Sequence, residues 1–126
     1  MRFLLICLGG AIGTGARYLI ALWAAAAFSS ALPIGTLLVN FVGSFLLGFI
    51  MHLGTATELL SPNVRLALTT GVIGGFTTYS TFNYETTSFF RGGAWLFGSL
   101  NVIVTIAACF AAGLLGLALA RSVIGR

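Results

Sequence analysis

"GGFTTYSTFNYE", residues 74–85, decides how the rest of this chain is read. Gly74, Gly75 and Phe76 are followed by five consecutive hydroxyl-bearing residues, Thr77, Thr78, Tyr79, Ser80 and Thr81, and Glu85 closes the stretch. The chain has 126 residues, 59% of them hydrophobic and 6% charged, so its most polar segment lies between two apolar runs. Adjacent glycines weaken a helix by about 1 kcal/mol each relative to alanine. Ser and Thr side chains offer the backbone competing hydrogen bonds. Together they predict a helix interrupted in mid-run. The bland alternative is an unbroken helix with its hydroxyls bonded back one turn.

The surrounding composition sets the class. With a mean hydropathy of +1.10 and neither Lys nor Asp, the chain has too little polar surface for a soluble globule. A membrane-crossing helix needs about 20 mostly apolar residues, and the sequence supplies four such runs: 3–28, 34–53, 64–90 and 95–120. The apolar stretches lack the two-residue alternation of a membrane β-barrel. "SSALP" (29–33), "GTATELLSPN" (54–63) and "RGG" (91–93) separate the runs. Arg17 interrupts the first run, which is also longer than a signal-peptide core, so it reads as a retained span. The expectation is an all-α integral membrane protein of four transmembrane helices. Residues 1–126 form one membrane domain, with the third helix broken near 74–79.

The charges argue against nucleic acid as a partner, because the six arginines are scattered and form no patch. Arg2, Arg65, Arg121 and Arg126 fall on one side of such a four-span chain and Arg91 on the other. By the positive-inside rule this is a small bias for both ends inside. Cys7 and Cys109 lie within the first and fourth runs without metal-ligand spacing and read as small packing residues. His52 reads as interfacial. No nucleophile–base pair or cofactor motif points to an enzyme.

Polar residues inside hydrocarbon are costly and face a packed interior or a water-filled path. Thr36, Asn40, Ser44 and Gly48 recur every four residues along one face of the second run, beside Phe41, Phe45 and Phe49. Asn101, Thr105, Cys109 and Gly113 repeat the spacing in the fourth run. In the third, Thr81 pairs with Glu85, and Ser80 with Tyr84 and Ser88, at the same step. Small and hydroxylated residues also glue membrane helices together, and the Gly9–Gly13 spacing reads that way. For Ser44 and Thr105 the packing and pathway readings stand side by side. Asn40 carries an amide with two donors that demand partners, and it reads as functional. Many donors with few negative charges suit a dehydrated small anion better than a cation.

A break near residue 77 falls at the middle of the third run. Irregular backbone is tolerated at that depth only where it is buried in protein or lines a cavity. Carbonyls freed near Gly74 to Thr77 are then available to a cation. The N–H groups of a second half-helix beginning near Thr78 to Ser80 are available to an anion. If two copies pack antiparallel, a midplane break meets its own copy and two pairs of carbonyls surround one ion. Two readings stand for Arg17: it snorkels to an interface, or it lends positive potential to an anion entrance. Glu85 reads as a hydrogen-bond acceptor, a proton carrier or part of an ion path.

Four stretches, "GGAIGTGARY" (9–18), "GTLLVNFVGSFLLG" (35–48), "GVIGGFTTYSTFNYE" (71–85) and "NVIVT" (101–105), resemble the Fluc (CrcB) fluoride channels over essentially the whole chain. The third stretch is the most specific. The resemblance implies a dual-topology, antiparallel homodimer in the cell (inner) membrane, surrounded by membrane lipid and carrying two fluoride pores. It also implies a central structural Na+ held by backbone carbonyls that match Gly74 and Thr77. It assigns Asn40 as the pore asparagine and Tyr79 and Phe82 as the pair of pore-lining rings. Ser80 and Thr81 become a polar track leading to Glu85, and Asn101 and Thr105 polar pore residues of the fourth helix. Tyr79 departs from the family's usual Phe. An aromatic edge is electropositive and suits fluoride, and the tyrosine keeps that edge while adding a hydroxyl.

The function so implied is passive, selective export of fluoride that lowers its cytoplasmic level, conferring fluoride resistance. Two other readings compete. One is a small proton-coupled exporter using Glu85, and the other a non-transporting membrane assembly subunit whose stripes serve packing alone.

Overall fold

The computed structural model describes residues 1–125. It is all-helical, with no strand among the described residues. Helix α1 covers Arg2–Ala27 and α2 Ile34–Ala56. The third run is assembled from pieces: α3 (Pro62–Leu66), a wide π-helical segment (Ala67–Ile73), α4 (Gly74–Phe76) and α5 (Tyr79–Arg91). Helix α6 covers Trp95–Ile124. Three of these helices, α1, α2 and α6, are long and apolar enough to cross a membrane.

Local chemistry sets most boundaries. Pro33 at the N-cap position of α2 cannot continue a preceding helix. Ser61 caps α3 by accepting the Val64 N–H at 3.3 Å, with Pro62 in the first turn. The Thr55 and Thr57 hydroxyls donate to Met51 and Leu53 carbonyls at 2.8 and 2.7 Å, which helps carry α2 past Leu53. Gly93, at φ +76°, supplies the left-handed residue of the turn between α5 and α6. At the far end α6 continues beyond Ala120 and closes on Gly125 in the same conformation.

Packing in lipid depends on close approach rather than on hydrophobic exclusion. A Cβ on Gly13 would collide with the Val72 carbonyl, and one on Gly75 would lie 2.5 Å from the Gly10 carbonyl oxygen. Backbone therefore rests on backbone where α1 crosses the π-helical segment and α4, and Gly9 and Gly13 act as the packing pair expected of them. Helices α2 and α6 meet in the same way at Gly48 and Gly113. Val39, Ile73, Phe76, Phe82, Ala112 and Ala120 are buried between helices. Large side chains such as Phe3, Ile12, Trp23, Phe110 and Leu115 point outward.

The break is narrower and later than the glycines alone suggest. Gly74 and Gly75 remain helical, and the interruption falls on Thr77 (φ −80°, ψ 156°) and Thr78 (φ −150°, ψ 110°). The glycines serve close packing. The hydroxyl residues and a side chain from α2 open the backbone.

Candidate functional site

Asn40 organises the break. Its Oδ1 accepts the Thr78 backbone N–H at 2.7 Å, and its Nδ2 donates to the Thr78 carbonyl at 3.0 Å. An amide side chain thus stands in for a neighbouring strand and holds Thr78 extended. The Thr78 hydroxyl then caps α5, accepting the Thr81 N–H at 3.2 Å and donating to Thr81 Oγ1 at 2.9 Å. Gly43, one turn beyond Asn40, makes room for the chain, since a Cβ there would strike the Thr77 methyl.

Around this node lies a cavity of about 350 Å³ whose lining includes Asn40, Ser44, Thr77, Tyr79, Phe82 and Thr105. Gly74 also borders it, so carbonyl-bearing backbone, hydroxyls and aromatic rings share one space. Phe82 is 8% exposed and Tyr79 77%, with ring centroids 5.8 Å apart and planes tilted by 54°. With one of its two amide hydrogens given to Thr78, Asn40 has one left for the cavity.

The remaining expected residues divide between other places. Thr81 lines a second cavity of about 270 Å³ together with Thr14, Arg17, Thr36 and Thr78. The Arg17 Nε is buried there without a hydrogen-bond partner. Thr36 Oγ1 donates to Glu85 Oε1 at 2.7 Å, while Glu85 Oε2 is buried and unpartnered. Ser80 stays exposed, its hydroxyl 3.4 Å from that of Thr78. Asn101 does not line the first cavity: it is 4% exposed and donates to the Thr86 hydroxyl at 2.9 Å, between α5 and α6. The structure adds the Thr78 side chain and Thr36 to the site, and places Thr86 with Asn101 in the α5–α6 interface. Both site positions are legible in the sequence, Thr36 at the head of the four-residue stripe of Asn40 and Ser44 and Thr78 at the expected start of the second half-helix.

The face that α5 turns away from the other helices is polar. Ser80, Asn83, Tyr84 and Thr87 are exposed, beside exposed Tyr79.

Residues 4–117 match the model of the family described as "CrcB-like protein, Camphor Resistance (CrcB)". The chain belongs to the CrcB family. Among curated CrcB relatives, a protein of Sorangium cellulosum (strain So ce56) is 50% identical over 123 residues, covering 98% of this chain and 97% of the relative. One from Anaeromyxobacter dehalogenans (strain 2CP-1 / ATCC BAA-258) is 48% identical over 124 residues, covering 98% of both. One from Clostridium perfringens (strain 13 / Type A) is 42% identical over 118 residues, covering 94% and 92%. Each bears the name "Fluoride-specific ion channel FluC", the name of a channel and not of an enzyme. The CrcB chain is a multi-pass protein of the cell membrane, in keeping with its several apolar helices.

Proposed function

We propose that this CrcB chain is a passive, fluoride-selective channel that works as an antiparallel, dual-topology homodimer with two pores and a central structural Na+. Its task is to let fluoride leave a cytoplasm that the ion enters as the neutral acid. The observation that carries this reading is the cavity at the break, where amide, hydroxyls and aromatic rings converge without a lysine, arginine or carboxylate in the lining. Fluoride is small and tightly hydrated, so a pore must replace its water with donors while avoiding traps too deep to leave. The free Asn40 N–H, the Ser44 and Thr105 hydroxyls and the Phe82 and Tyr79 edges are donors of that moderate strength. Thr81, Thr36 and Glu85 extend the polar line beyond the break, with Arg17 beside it.

Two features support the dimer and its cation. Hydroxyl, amide and phenol groups on α5 face outward from one subunit, and such a face is costly in hydrocarbon unless a second copy covers it. Among the described residues no cluster of His, Cys, Asp or Glu side chains is set to ligate a metal. The amides that a continuous helix would send to Gly74 and Thr77 are engaged by Asn40 and the Thr78 hydroxyl. The Gly74 and Thr77 carbonyls would hold a hard monovalent cation, which would supply positive charge alone at the break. The fourth membrane crossing is the broken segment from Pro62 to Arg91.

The test is efflux from liposomes containing purified protein. Fluoride should leave far faster than chloride and without a proton gradient. Proton-coupled flux would favour the exporter reading, and impermeable liposomes the assembly subunit. Sodium moving in fixed ratio with fluoride would overturn its structural role.

A further inference from the structure

We infer that Asn40 is a positioning residue that keeps the Gly74 carbonyl open to a cation, by drawing off the amide that would otherwise close a helical hydrogen bond onto it. The inference rests on the sodium reading above. In a continuous α-helix the N–H of residue 78 bonds to the carbonyl of residue 74, and the N–H of residue 81 to the carbonyl of residue 77. Here both amides go elsewhere. Thr78 N–H goes to Asn40 Oδ1 at 2.7 Å, and Thr81 N–H to Thr78 Oγ1 at 3.2 Å. The Thr77 N–H, the next amide within reach of Gly74, is taken by the Ile73 carbonyl at 3.0 Å.

The two diversions are linked. The Asn40 pair holds Thr78 extended, and only in that conformation does its hydroxyl sit at the N-cap of α5. Asn40 therefore acts on both carbonyls, directly on Gly74 and through Thr78 on Thr77. Its influence on a bound cation is exerted through the backbone, without contact. Asn40→Ala lets the Thr78 amide turn back toward Gly74, and a cation must then break that bond before it can enter. Thr78→Val does the same at Thr77 by removing the cap.

The experiment follows thermal unfolding of the purified full-length protein in detergent, titrated with sodium chloride against choline chloride at constant ionic strength. Wild type is expected to gain stability with sodium and not with choline. Both variants are expected to need about tenfold more sodium for the half-maximal gain, the equivalent of one backbone hydrogen bond opened first. Wild-type titration points in both variants would overturn the inference. A wild type indifferent to sodium would instead remove the sodium reading, and this inference with it. Should Asn40→Ala fail to fold, Thr78→Val decides the second diversion. Scalar coupling across the hydrogen bond in labelled wild type decides the first: Thr78 nitrogen coupled to the Asn40 side-chain carbon supports the inference, and coupling to the Gly74 carbonyl carbon overturns it.

Discussion

Asn101 on α6 and Thr86 on α5 are joined by a buried hydrogen bond of 2.9 Å, and the Thr86 hydroxyl in turn donates a hydrogen bond to the Phe82 carbonyl at 2.8 Å. The pair ties the half-helix after the break to the longest helix. Asn101 is thereby placed in the interface of two helices. Hydrogen bonds between membrane helices average about 0.6 kcal/mol and reach roughly 1.7. Asn101→Ala and Thr86→Val should each lower the unfolding temperature, with a coupling in a double-mutant cycle of about 0.5–1.5 kcal/mol. Discrimination between fluoride and chloride should survive in Asn101→Ala liposomes. Its loss would return Asn101 to the pathway.

Gly13→Ala should be among the most damaging small substitutions in α1, because its new methyl meets the Val72 carbonyl and the Phe76 nitrogen. Overpacking of this kind costs about 1–3 kcal/mol. A methyl on Gly15 would meet nothing within 4 Å, so Gly15→Ala should be neutral or gain up to about 1 kcal/mol from helix propensity. Thermal unfolding of the two variants side by side checks the contrast.

Glu85→Gln keeps a carbonyl oxygen for the Thr36 hydroxyl, which now donates to Glu85 Oε1. Passive fluoride flux should therefore persist, changed by less than about tenfold, the scale of one hydrogen bond. Complete loss of flux would point to the carboxylate as an obligatory carrier.

Tyr79→Phe retains the ring that lines the first cavity beside Phe82 and removes only the hydroxyl. Selectivity for fluoride over chloride should be preserved, because the ring edge is common to both side chains. The rate should change by no more than about tenfold. A collapse of selectivity would show that the phenol hydroxyl itself handles the ion.

Arg17→Gln separates the two readings of that residue. A positive charge at an anion entrance speeds capture most when salt is low, and screening erases the effect within about 10 Å at 0.1 M. Fluoride flux in Arg17→Gln should fall several-fold at low ionic strength and approach wild type at high. A deficit independent of salt would leave Arg17 a structural residue.

The class of this protein and the existence of a break were legible in the sequence because both follow from local composition. Apolar runs of membrane length and a run of hydroxyl residues in mid-span need no tertiary partner to be read, although the glycines that also suggested the break stay helical. The position of the break was not legible at the same precision. It is set by Asn40, 38 residues away, whose amide replaces a helical bond that propensity alone would leave in place. Asn101 shows a related limit. Its four-residue spacing from Thr105 correctly puts the two on one face of α6, but that face meets α5 at Asn101 and the first cavity at Thr105. The π-helical winding of Ala67–Ile73 has no signature in its residues and lies where bare backbone of α1 presses on it.

The outward polar face of α5 bears on how the protein survives in a cell. Ser80, Asn83, Tyr84 and Thr87 are exposed on the single chain, and in the proposed homodimer a second copy would shield them from acyl chains. Under that proposal the paired amount would climb more steeply than the rate of synthesis at scarce expression, because encounter depends on the product of two subunit densities.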